Sequence, residues 1–211
     1  MKLLILCFLL IGITSCAQQG TSPAGEEKKV GGNCECCEGI YEQAPDFNSL
    51  HETDTLPGFN KSPHKMLVYG TIYKSDGTTP ATGVVLYIYH TDQNGYYTPA
   101  PGQTGCAKRH GLHRGWIKTN STGEYRFYTE RPAAYPNNKI PAHIHPVIKE
   151  PGLTEYYIDE YLFDDDPFLT PDERNQQEGR GGIGIVKLSK DPTGMLLCKR
   201  DIILGKNIPG Y

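Results

Sequence analysis

Short runs of alternating apolar and polar residues, each closed by a turn signal, dominate the chain after about residue 65. The run KMLVYGTIYKSDG begins at Lys65 and ends in an Asp-Gly pair, and GVVLYIYHTDQNG begins at Gly83 and ends in an Asn-Gly pair. Alternation is typical of half-buried strands, and Asp-Gly and Asn-Gly pairs are frequent in tight turns. These two segments therefore predict β-strands joined by turns.

The rest of the chain repeats this plan and shows no long apolar stripe of helical period. Two strand-like runs flank NSTG in GWIKTNSTGEYRFYT, which predicts a hairpin. A short helix is expected in TPDERNQQ, with Thr170 as N-cap and Glu173 at the capping-box position. The pattern predicts an all-β fold, a β-sandwich of mostly antiparallel strands with long loops and little helix. Further strands are expected in AHIHPVIK (142–149), GIVKLSK (184–190) and KRDIILG (199–205).

The first residues have the composition of an export signal. Residues 1–15, MKLLILCFLLIGITS, carry one lysine and then an apolar run too short to span a bilayer. The junction ITSC resembles a bacterial lipoprotein signal, so we expect Cys16 to be lipidated; the alternative is an ordinary signal peptide with an incidental cysteine. Alanine rather than aspartate follows Cys16, which in a Gram-negative organism favours the outer membrane. The sequence thus predicts an exported protein anchored to a membrane by lipid.

A polar segment separates this signal from the strand-rich part. Residues 16–45 are expected to form a flexible, cysteine-containing tether, and residues 46–211 a single domain. The formal net charge of −3 shows no basic excess, which argues against nucleic acid as a partner. The sequence leaves the oligomeric state open.

Five cysteines lie beyond the signal and Cys16. An exported protein can keep disulfides, and an odd number leaves at least one thiol unpaired or paired between chains. The cluster CECC could suggest a metal site, but no second ligand pair completes one at a recognisable spacing. We favour disulfides that anchor the tether, with a pairing that the sequence does not determine among Cys34, Cys36, Cys37, Cys106 and Cys198.

The segment IPAHIHPVIK presents two histidines on one face of a predicted strand. Because side chains alternate along a strand, His143 and His145 lie about 6–7 Å apart on the same side. Imidazole is a common metal ligand, so the pair is a candidate site; the alternative is one packed and one solvated histidine. Pro141 and Pro146 cannot donate ladder hydrogen bonds, which predicts that the pair lies at a sheet edge or opening.

Tyrosine points to the kind of metal. Tyr135 precedes the histidine pair, and the chain contains 14 tyrosines. A phenol becomes a ligand only when a strongly Lewis-acidic ion displaces its proton. A set of tyrosine and histidine ligands therefore favours Fe(III) over zinc.

These motifs resemble those of a known family. RPAAYP…PAHIH is similar to the metal-binding segment of the intradiol ring-cleavage dioxygenases, which include protocatechuate and catechol dioxygenases. GVVLYIYHTDQNGYY resembles the strand and loop that deliver that family's first tyrosine ligand, which falls on Tyr97 and not on Tyr96. Similarity also covers HRGWIKTNSTGEYRFYTERPAAYP and YYIDEYLFDDDP, and extends from about Val68 to Pro167. The family fold is a β-sandwich, as the strand pattern independently predicts.

The resemblance implies a non-haem Fe(III) site, and the signal-like residues 1–15 with Cys16 make the chain a lipoprotein variant of this family. Tyr135 would be the tyrosinate that dissociates when a catechol-like substrate binds. Reaction with O2 would then cleave the ring between the two hydroxyl-bearing carbons and give a muconic acid. The implied ligands are Tyr97, Tyr135, His143 and His145.

The sequence departs from the family at two substrate-pocket positions. Ile140 stands where the family usually has an arginine, and Glu160 stands where many members have a glutamine. Possible replacements for the missing positive charge are Arg131, Lys139, Arg114 and His113. His110 and His113 are expected to lie in a variable loop, as pocket-wall residues and not ligands.

These departures keep two other hypotheses open. The chain could be a catalytically impaired module that binds catechols or siderophores on the same metal site. It could also be a surface β-sandwich whose tyrosines and histidines are purely structural. Oxygen consumption separates the first alternative from the enzyme, and stoichiometric iron excludes the second.

Overall fold

The computed structural model describes residues 27–211. The predicted signal peptide (1–15) and the lipidation site Cys16 lie outside the described residues. Within residues 27–211, no helix combines the length and apolar character that crossing a membrane requires.

Two six-stranded sheets make up most of the fold. The first sheet has the order β1-β5-β2-β11-β10, and β12 also pairs with β2. Its strands are β1 Thr53–Thr55, β2 Lys65–Tyr73, β5 Glu124–Glu130, β10 Ser189–Lys190, β11 Leu196–Lys199 and β12 Ile202–Ile203.

The second sheet carries the histidine pair. Its order is β4-β3-β6-β8-β9, and β7 also pairs with β6. Most long pairings in both sheets are antiparallel, including β2 with β5 and β3 with β6. The predicted all-β sandwich is confirmed. The strands of this sheet are β3 Val85–His90, β4 Arg114–Lys118, β6 His143–Lys149, β7 Tyr156–Tyr157, β8 Tyr161–Phe163 and β9 Ile185–Val186.

Within residues 27–211, helix is confined to short segments in loops. The first, α1, spans Gly105–His110, and α2 spans Pro171–Asn175. Two 3₁₀ turns span Cys37–Ile40 and Phe59–Lys61. The predicted capping box of α2 is confirmed, because the Thr170 side chain accepts from the Glu173 amide and the Glu173 side chain accepts from the Thr170 amide.

The main apolar core lies between the two sheets. Alternating positions of β2 are buried, as the sequence pattern predicts for a strand with one face on a core. The facing strands supply large residues that are fully buried, among them Phe127 of the first sheet and Ile88 and Ile144 of the second. The core therefore fixes β3 and β6 beside each other in the middle of the second sheet.

The predicted hairpin around NSTG is wrong. Both runs are strands, but β4 pairs with β3 in the second sheet while β5 pairs with β2 in the first. The intervening turn is closed by Asn120, whose Oδ1 accepts from the amides of Thr122 and Glu124, each at 3.0 Å. The turn therefore crosses between the sheets of the sandwich.

Of the predicted edge or opening of the sheet at the histidine pair, the edge is wrong. Strand β6 is central, with β3 on one side and β7 and β8 on the other. The ladder on the β7–β8 side is interrupted at Pro146, because β8 pairs with His143 and Ile144 and β7 pairs with Val147 and Ile148. The strand thus accommodates a proline without being at an edge.

The end of the predicted tether packs against the sandwich. Val30, Cys37 and Ile40 are buried, and the last two join a second apolar cluster on the outer face of the second sheet with Tyr87 and Val85. The packed domain therefore begins well before the boundary predicted at residue 46.

Disulfides fix this N-terminal segment in place. Cys34 pairs with Cys37, and Cys36 pairs with Cys106 at the start of α1. Cys198 on β11 is buried and is the unpaired cysteine of the described residues. The pairing that the sequence left open is thereby assigned, and the tether is joined to a loop of the second sheet.

Candidate metal centre

Tyr97 lies in the loop after β3, and one aspartate organises that loop. The Asp92 carboxylate accepts from the amides of Asn94 and Tyr96 at 2.8 and 3.1 Å and from the Thr98 hydroxyl at 2.7 Å. The Asx-type bonds hold the loop in a tight turn, as the Asn-Gly pair in the sequence indicates. Tyr97 is therefore presented from a fixed backbone.

The loop that carries Tyr135 docks directly on the Tyr97 loop. Thr91 donates its hydroxyl to the Ala133 carbonyl at 2.7 Å. Gly95 approaches so closely that a Cβ on it would lie 2.1 Å from the Ala134 carbonyl oxygen, and its φ is +80°. Both features require glycine at this position. The contact sets the distance between the two tyrosines.

We expect Gly95→Ala to disrupt this contact. A methyl group would force the two loops apart and would occupy a left-handed backbone conformation, so the free energy of unfolding should fall by about 3 kcal/mol. Urea unfolding and metal analysis measure the two effects, and the metal content should fall with the stability. Gly102→Ala is the matched control, because Gly102 has a similar φ of +82° and no atom within 4 Å of the added Cβ. Equal behaviour of the two variants would contradict the role of the contact.

His143 and His145 come from β6 and face the two tyrosines. The side chains alternate along the strand, so the buried Ile144 between them faces the core. Before the strand, the Ala142 amide donates to Asp166 Oδ2 at 3.0 Å, which fixes the approach to His143. The strand thus delivers both imidazoles to one point.

The four side chains meet in a closed ring of donor atoms. Tyr97 Oη lies 3.0 Å from Tyr135 Oη, and Tyr135 Oη lies 3.2 Å from His143 Nε2. His143 Nε2 lies 3.0 Å from His145 Nε2, which lies 2.9 Å from Tyr97 Oη. Ligand atoms about 2.0–2.2 Å from one ion have similar mutual separations. The structure therefore brings together Tyr97, Tyr135, His143 and His145 at a spacing that fits one metal ion.

The histidine tautomers provide a test of this fit. His143 Nδ1 lies 2.7 Å from the Pro141 carbonyl, which can only accept, so Nδ1 carries the proton of the neutral ring. His145 Nδ1 faces the Glu160 carboxylate at 3.5 Å, which is longer than a hydrogen bond but also favours a proton on Nδ1. The two Nε2 lone pairs then face each other at 3.0 Å. Two imidazole nitrogens and two phenol oxygens that converge on one point are the arrangement that a shared metal ion requires, so the donor set fits a metal.

Burial sets the protonation of these groups. It lowers the pKa of His143 to about 4, with a further contribution from His145, so the ring is neutral as a ligand must be. Burial raises the pKa of both Tyr97 and Tyr135. The phenols therefore stay protonated at neutral pH unless a strongly Lewis-acidic cation displaces their protons. Zinc is a weaker candidate than a ferric ion for such a site.

An aromatic stack supports the ring of donors from behind. Tyr89 of β3 stacks on His145 with ring centroids 4.6 Å apart, and His110 of α1 stacks on the other side of Tyr89 at 3.6 Å. A hydrogen bond of 2.8 Å joins the Tyr87 hydroxyl to His110 Nδ1. The imidazole of His145 is thereby held by packing as well as by Glu160.

Two cavities open beside the donor atoms, with Tyr135 in the wall of both. The first has a volume of about 410 Å³ and contains both positions at which the sequence departs from the intradiol pattern. Its wall includes Tyr135, His143, Ile140, Glu160, Glu173 and Gln177. The second has a volume of about 400 Å³, and its wall includes Tyr97, Tyr135, His145, Tyr89, Arg109 and His110.

The candidate cations from the sequence do not line either cavity. Arg131 makes a two-pronged ion pair with Asp165, with both bonds at 2.8 Å. Arg114 is buried and donates to the carbonyls of the N-terminal segment, and His113 is buried 3.3 Å from Glu130. Lys139 is exposed beside Ile140. The first cavity therefore has no replacement for the missing arginine among the described residues of its wall.

Other wall residues were not predicted. Arg109 reaches the second cavity, where its guanidinium pairs with Glu35 at 2.7 Å. Glu173 and Gln177 reach the first cavity from α2 and the residues after it. The sequence predicts that helix but gives no signal that it packs over the metal centre. His110 was expected in a pocket wall, and it lines the second cavity.

A second group of potential ligands is not a metal site. Cys36, Glu38 and Cys106 bring three ligand atoms together. Cys36 and Cys106 form a disulfide, which removes the thiolates that would bind a metal. The ring of tyrosines and histidines is the metal centre that the chemistry supports.

No family model and no curated protein sequence matches the chain. Solved structures match it in fold. The dioxygenase domain of a dioxygenase–carbohydrate-binding protein fusion from Streptomyces sp. SirexAA-E superposes with a TM-score of 0.55 at 21% identity, over 71% of this chain and 85% of that one.

Two catechol dioxygenases are similar to a comparable degree. Catechol 1,2-dioxygenase from Acinetobacter sp. ADP1 matches with a TM-score of 0.54 at 22% identity, over 72% of this chain and 56% of that one. 3-Chlorocatechol 1,2-dioxygenase from Rhodococcus opacus 1CP matches with a TM-score of 0.54 at 19% identity, over 76% and 69% of the two chains. The resemblance to the intradiol dioxygenases is confirmed at the level of the fold, and the chain spans little more than half of the Acinetobacter enzyme.

Proposed function

We propose that the chain is a non-haem Fe(III) intradiol dioxygenase that cleaves a catechol-like aromatic with O2 between the two hydroxyl-bearing carbons. The observation that carries this proposal is the closed ring of two phenol oxygens and two imidazole nitrogens, with neighbours 2.9–3.2 Å apart. The ring lies in a sandwich whose fold is that of catechol dioxygenases. Donor set and fold point independently to the same chemistry.

A ferric ion held by Tyr97, Tyr135, His143 and His145 would supply a Lewis acid that stabilises a deprotonated catechol and orients it toward O2. The protein's own groups have distinct tasks. Tyr135 is the half-buried phenol between the two cavities, so its Oη is placed to accept one substrate proton. Tyr97 is more deeply buried than Tyr135, so it would keep its position. His143 is fixed through its Nδ1 bond to the Pro141 carbonyl, and His145 is held by its stack on Tyr89 beside Glu160, so their Nε2 atoms keep one orientation.

The reaction balances without a further reductant. The carbon–carbon bond between the two hydroxyl-bearing carbons breaks, and both atoms of O2 enter the product, a muconic acid. Each of these carbons is oxidised from the phenol to the carboxylic acid level, so the catechol supplies all four electrons that reduce O2. An exported protein can therefore perform this reaction with no access to cytoplasmic nicotinamide.

Oxygen consumption tests this proposal. The iron-loaded protein is expected to consume one O2 per catechol in an oxygen electrode, while a muconate accumulates in the ultraviolet spectrum. A visible spectral shift on catechol addition without O2 uptake would contradict the enzyme. That result would support the alternative, a catalytically impaired module that binds catechols or siderophores on the same metal site.

We also propose that lipid on Cys16 anchors the exported protein to a bacterial membrane, the outer membrane in a Gram-negative cell. The signal-like residues 1–15 and the ITSC junction support this. Cys16→Ser is expected to move the protein from the membrane fraction to the soluble fraction and to abolish labelling by a radioactive fatty acid. Cys7→Ser, within the apolar run, is the control and should change neither. A Cys16→Ser protein that stays lipid-labelled would contradict the anchor.

A further inference from the structure

We propose, on the basis of the proposed function, that the first cavity selects catechols whose ring carries a cationic substituent over catechols whose ring carries a carboxylate. The cavity adjoins Tyr135 and His143, so a catechol bound at the metal centre would direct its substituents toward the remaining wall. The charges and hydrogen-bonding groups of that wall then decide which substituents are accepted.

The wall contains two carboxylates. Glu160 has one oxygen 3.5 Å from His145 Nδ1, which leaves its other oxygen for a ligand. Glu173 uses Oε2 in the capping box of α2, where it accepts from the Thr170 amide at 3.0 Å and the Thr170 hydroxyl at 3.2 Å. Its Oε1 is left for a ligand. Both residues lie in the wall of the same cavity of about 410 Å³.

Gln177 completes this part of the wall as a neutral residue. Its side-chain Nε2 donates to the Glu173 carbonyl at 3.2 Å, which orients the amide. Its Oε1 has almost no exposed surface, so it does not face a ligand in the cavity. The charge of the wall therefore comes from the two carboxylates, to which an ammonium group offers three donors.

No lysine or arginine among the described residues of this wall offsets the two carboxylates. Ile140 occupies the position where the family has its arginine, and the nearby Arg174 is bound to Asp164 at 2.6 Å. Arg109 lies in the other cavity and is paired with Glu35. A carboxylate on the substrate would therefore meet like charge here, whereas an ammonium would meet opposite charge.

Three catechols of similar size test the proposal on the iron-loaded protein. They are 4-(2-aminoethyl)catechol, 4-ethylcatechol and 3,4-dihydroxyphenylacetate, which carry a positive, a neutral and a negative substituent at pH 7. We expect kcat/KM to fall in that order, with about tenfold or more between the amine and the carboxylate. The difference should shrink as salt rises from 0.05 to 0.5 M (about 14 to 4 Å in screening length).

Charge removal at Glu173 locates the effect. Glu173→Gln keeps a residue that can complete the capping box, so the helix should be retained. In this variant, we expect the ratio of kcat/KM for the amine to kcat/KM for 4-ethylcatechol to fall about threefold. Asp172→Asn is the matched control, because it removes one charge from the same helix at an exposed residue outside the wall, and its preference should be unchanged.

The outcomes separate this proposal from the proposed function. If none of the three catechols is cleaved, the proposed function fails. If 4-ethylcatechol and 3,4-dihydroxyphenylacetate are cleaved as well as the amine or better, the function stands and the charge selection is wrong. An equal response of Glu173→Gln and Asp172→Asn would also overturn the selection by this wall.

Discussion

Replacing His143 with alanine is expected to remove the metal from the protein. The change deletes one of four donor atoms and leaves His145 Nε2 and Tyr135 Oη without their common neighbour. Because even outer residues that only orient ligands alter metal affinity by about 10–100-fold, loss of a ligand should weaken iron binding by about 100-fold or more. Iron per chain and the visible absorption after gel filtration measure the loss. Ring cleavage should disappear with the iron.

The fold should survive this substitution. His143 is only partly buried, and its side chain contributes to the ring of donors and not to the apolar core. His64→Ala is the control, because it deletes an exposed histidine outside both cavities. A His143→Ala protein that keeps one iron per chain would contradict the proposed ligand set.

Among the variants described, removal of the disulfide between Cys36 and Cys106 is expected to lower the free energy of unfolding most. The bridge closes a loop with a sequence separation of 70 residues, so it restricts the unfolded chain strongly. The loop-closure relation gives about 4 kcal/mol for the double variant Cys36→Ser/Cys106→Ser. Urea unfolding under non-reducing conditions measures this. The N-terminal segment that covers the outer face of the second sheet should become accessible to proteases at the same time.

The second disulfide supplies the matched control. Cys34 and Cys37 are separated by only 3 residues, so the same relation gives about 2 kcal/mol for Cys34→Ser/Cys37→Ser. Both double variants replace one disulfide of the N-terminal segment by two serines, and the loops that the two disulfides close differ greatly in length. Equal losses in the two variants, or a larger loss in the short-loop variant, would contradict this account of the segment.

The sequence predicted local structure well where one residue pattern decides it. Alternation located β2 and β3, and the Thr170–Glu173 capping box marked the start of α2. The four side chains that the motifs singled out are the four whose donor atoms meet. Each of these features depends on residues that are close in sequence or on a spacing that the motif itself contains.

Long-range pairing was the part that the sequence did not determine. NSTG has the composition of a hairpin turn. However, β4 pairs with β3 in the second sheet and β5 pairs with β2 in the first, so the turn joins the two sheets. Pro146 suggested an edge strand, but an interruption between β7 and β8 accommodates it in a central one. Both outcomes depend on strands that lie far away along the chain.

The sequence also did not reveal which residues line the cavities. Arg131 and Arg114 have the charge that the pocket lacks, but Asp165 and the N-terminal carbonyls bind them elsewhere. Glu173 and Gln177 reach the first cavity because α2 packs over it. Residue type alone does not distinguish a guanidinium that faces a substrate from one that holds two segments together.

The most direct test of the central claim is the iron content of the purified protein together with its visible absorption spectrum. One ferric ion per chain and a broad tyrosinate-to-iron charge-transfer band, shifted by catechol under argon, are the results that a site of two tyrosines and two histidines predicts. A colourless protein that binds no iron after ferric reconstitution would contradict the claim, because the protein would then share the fold of the dioxygenases but not their metal.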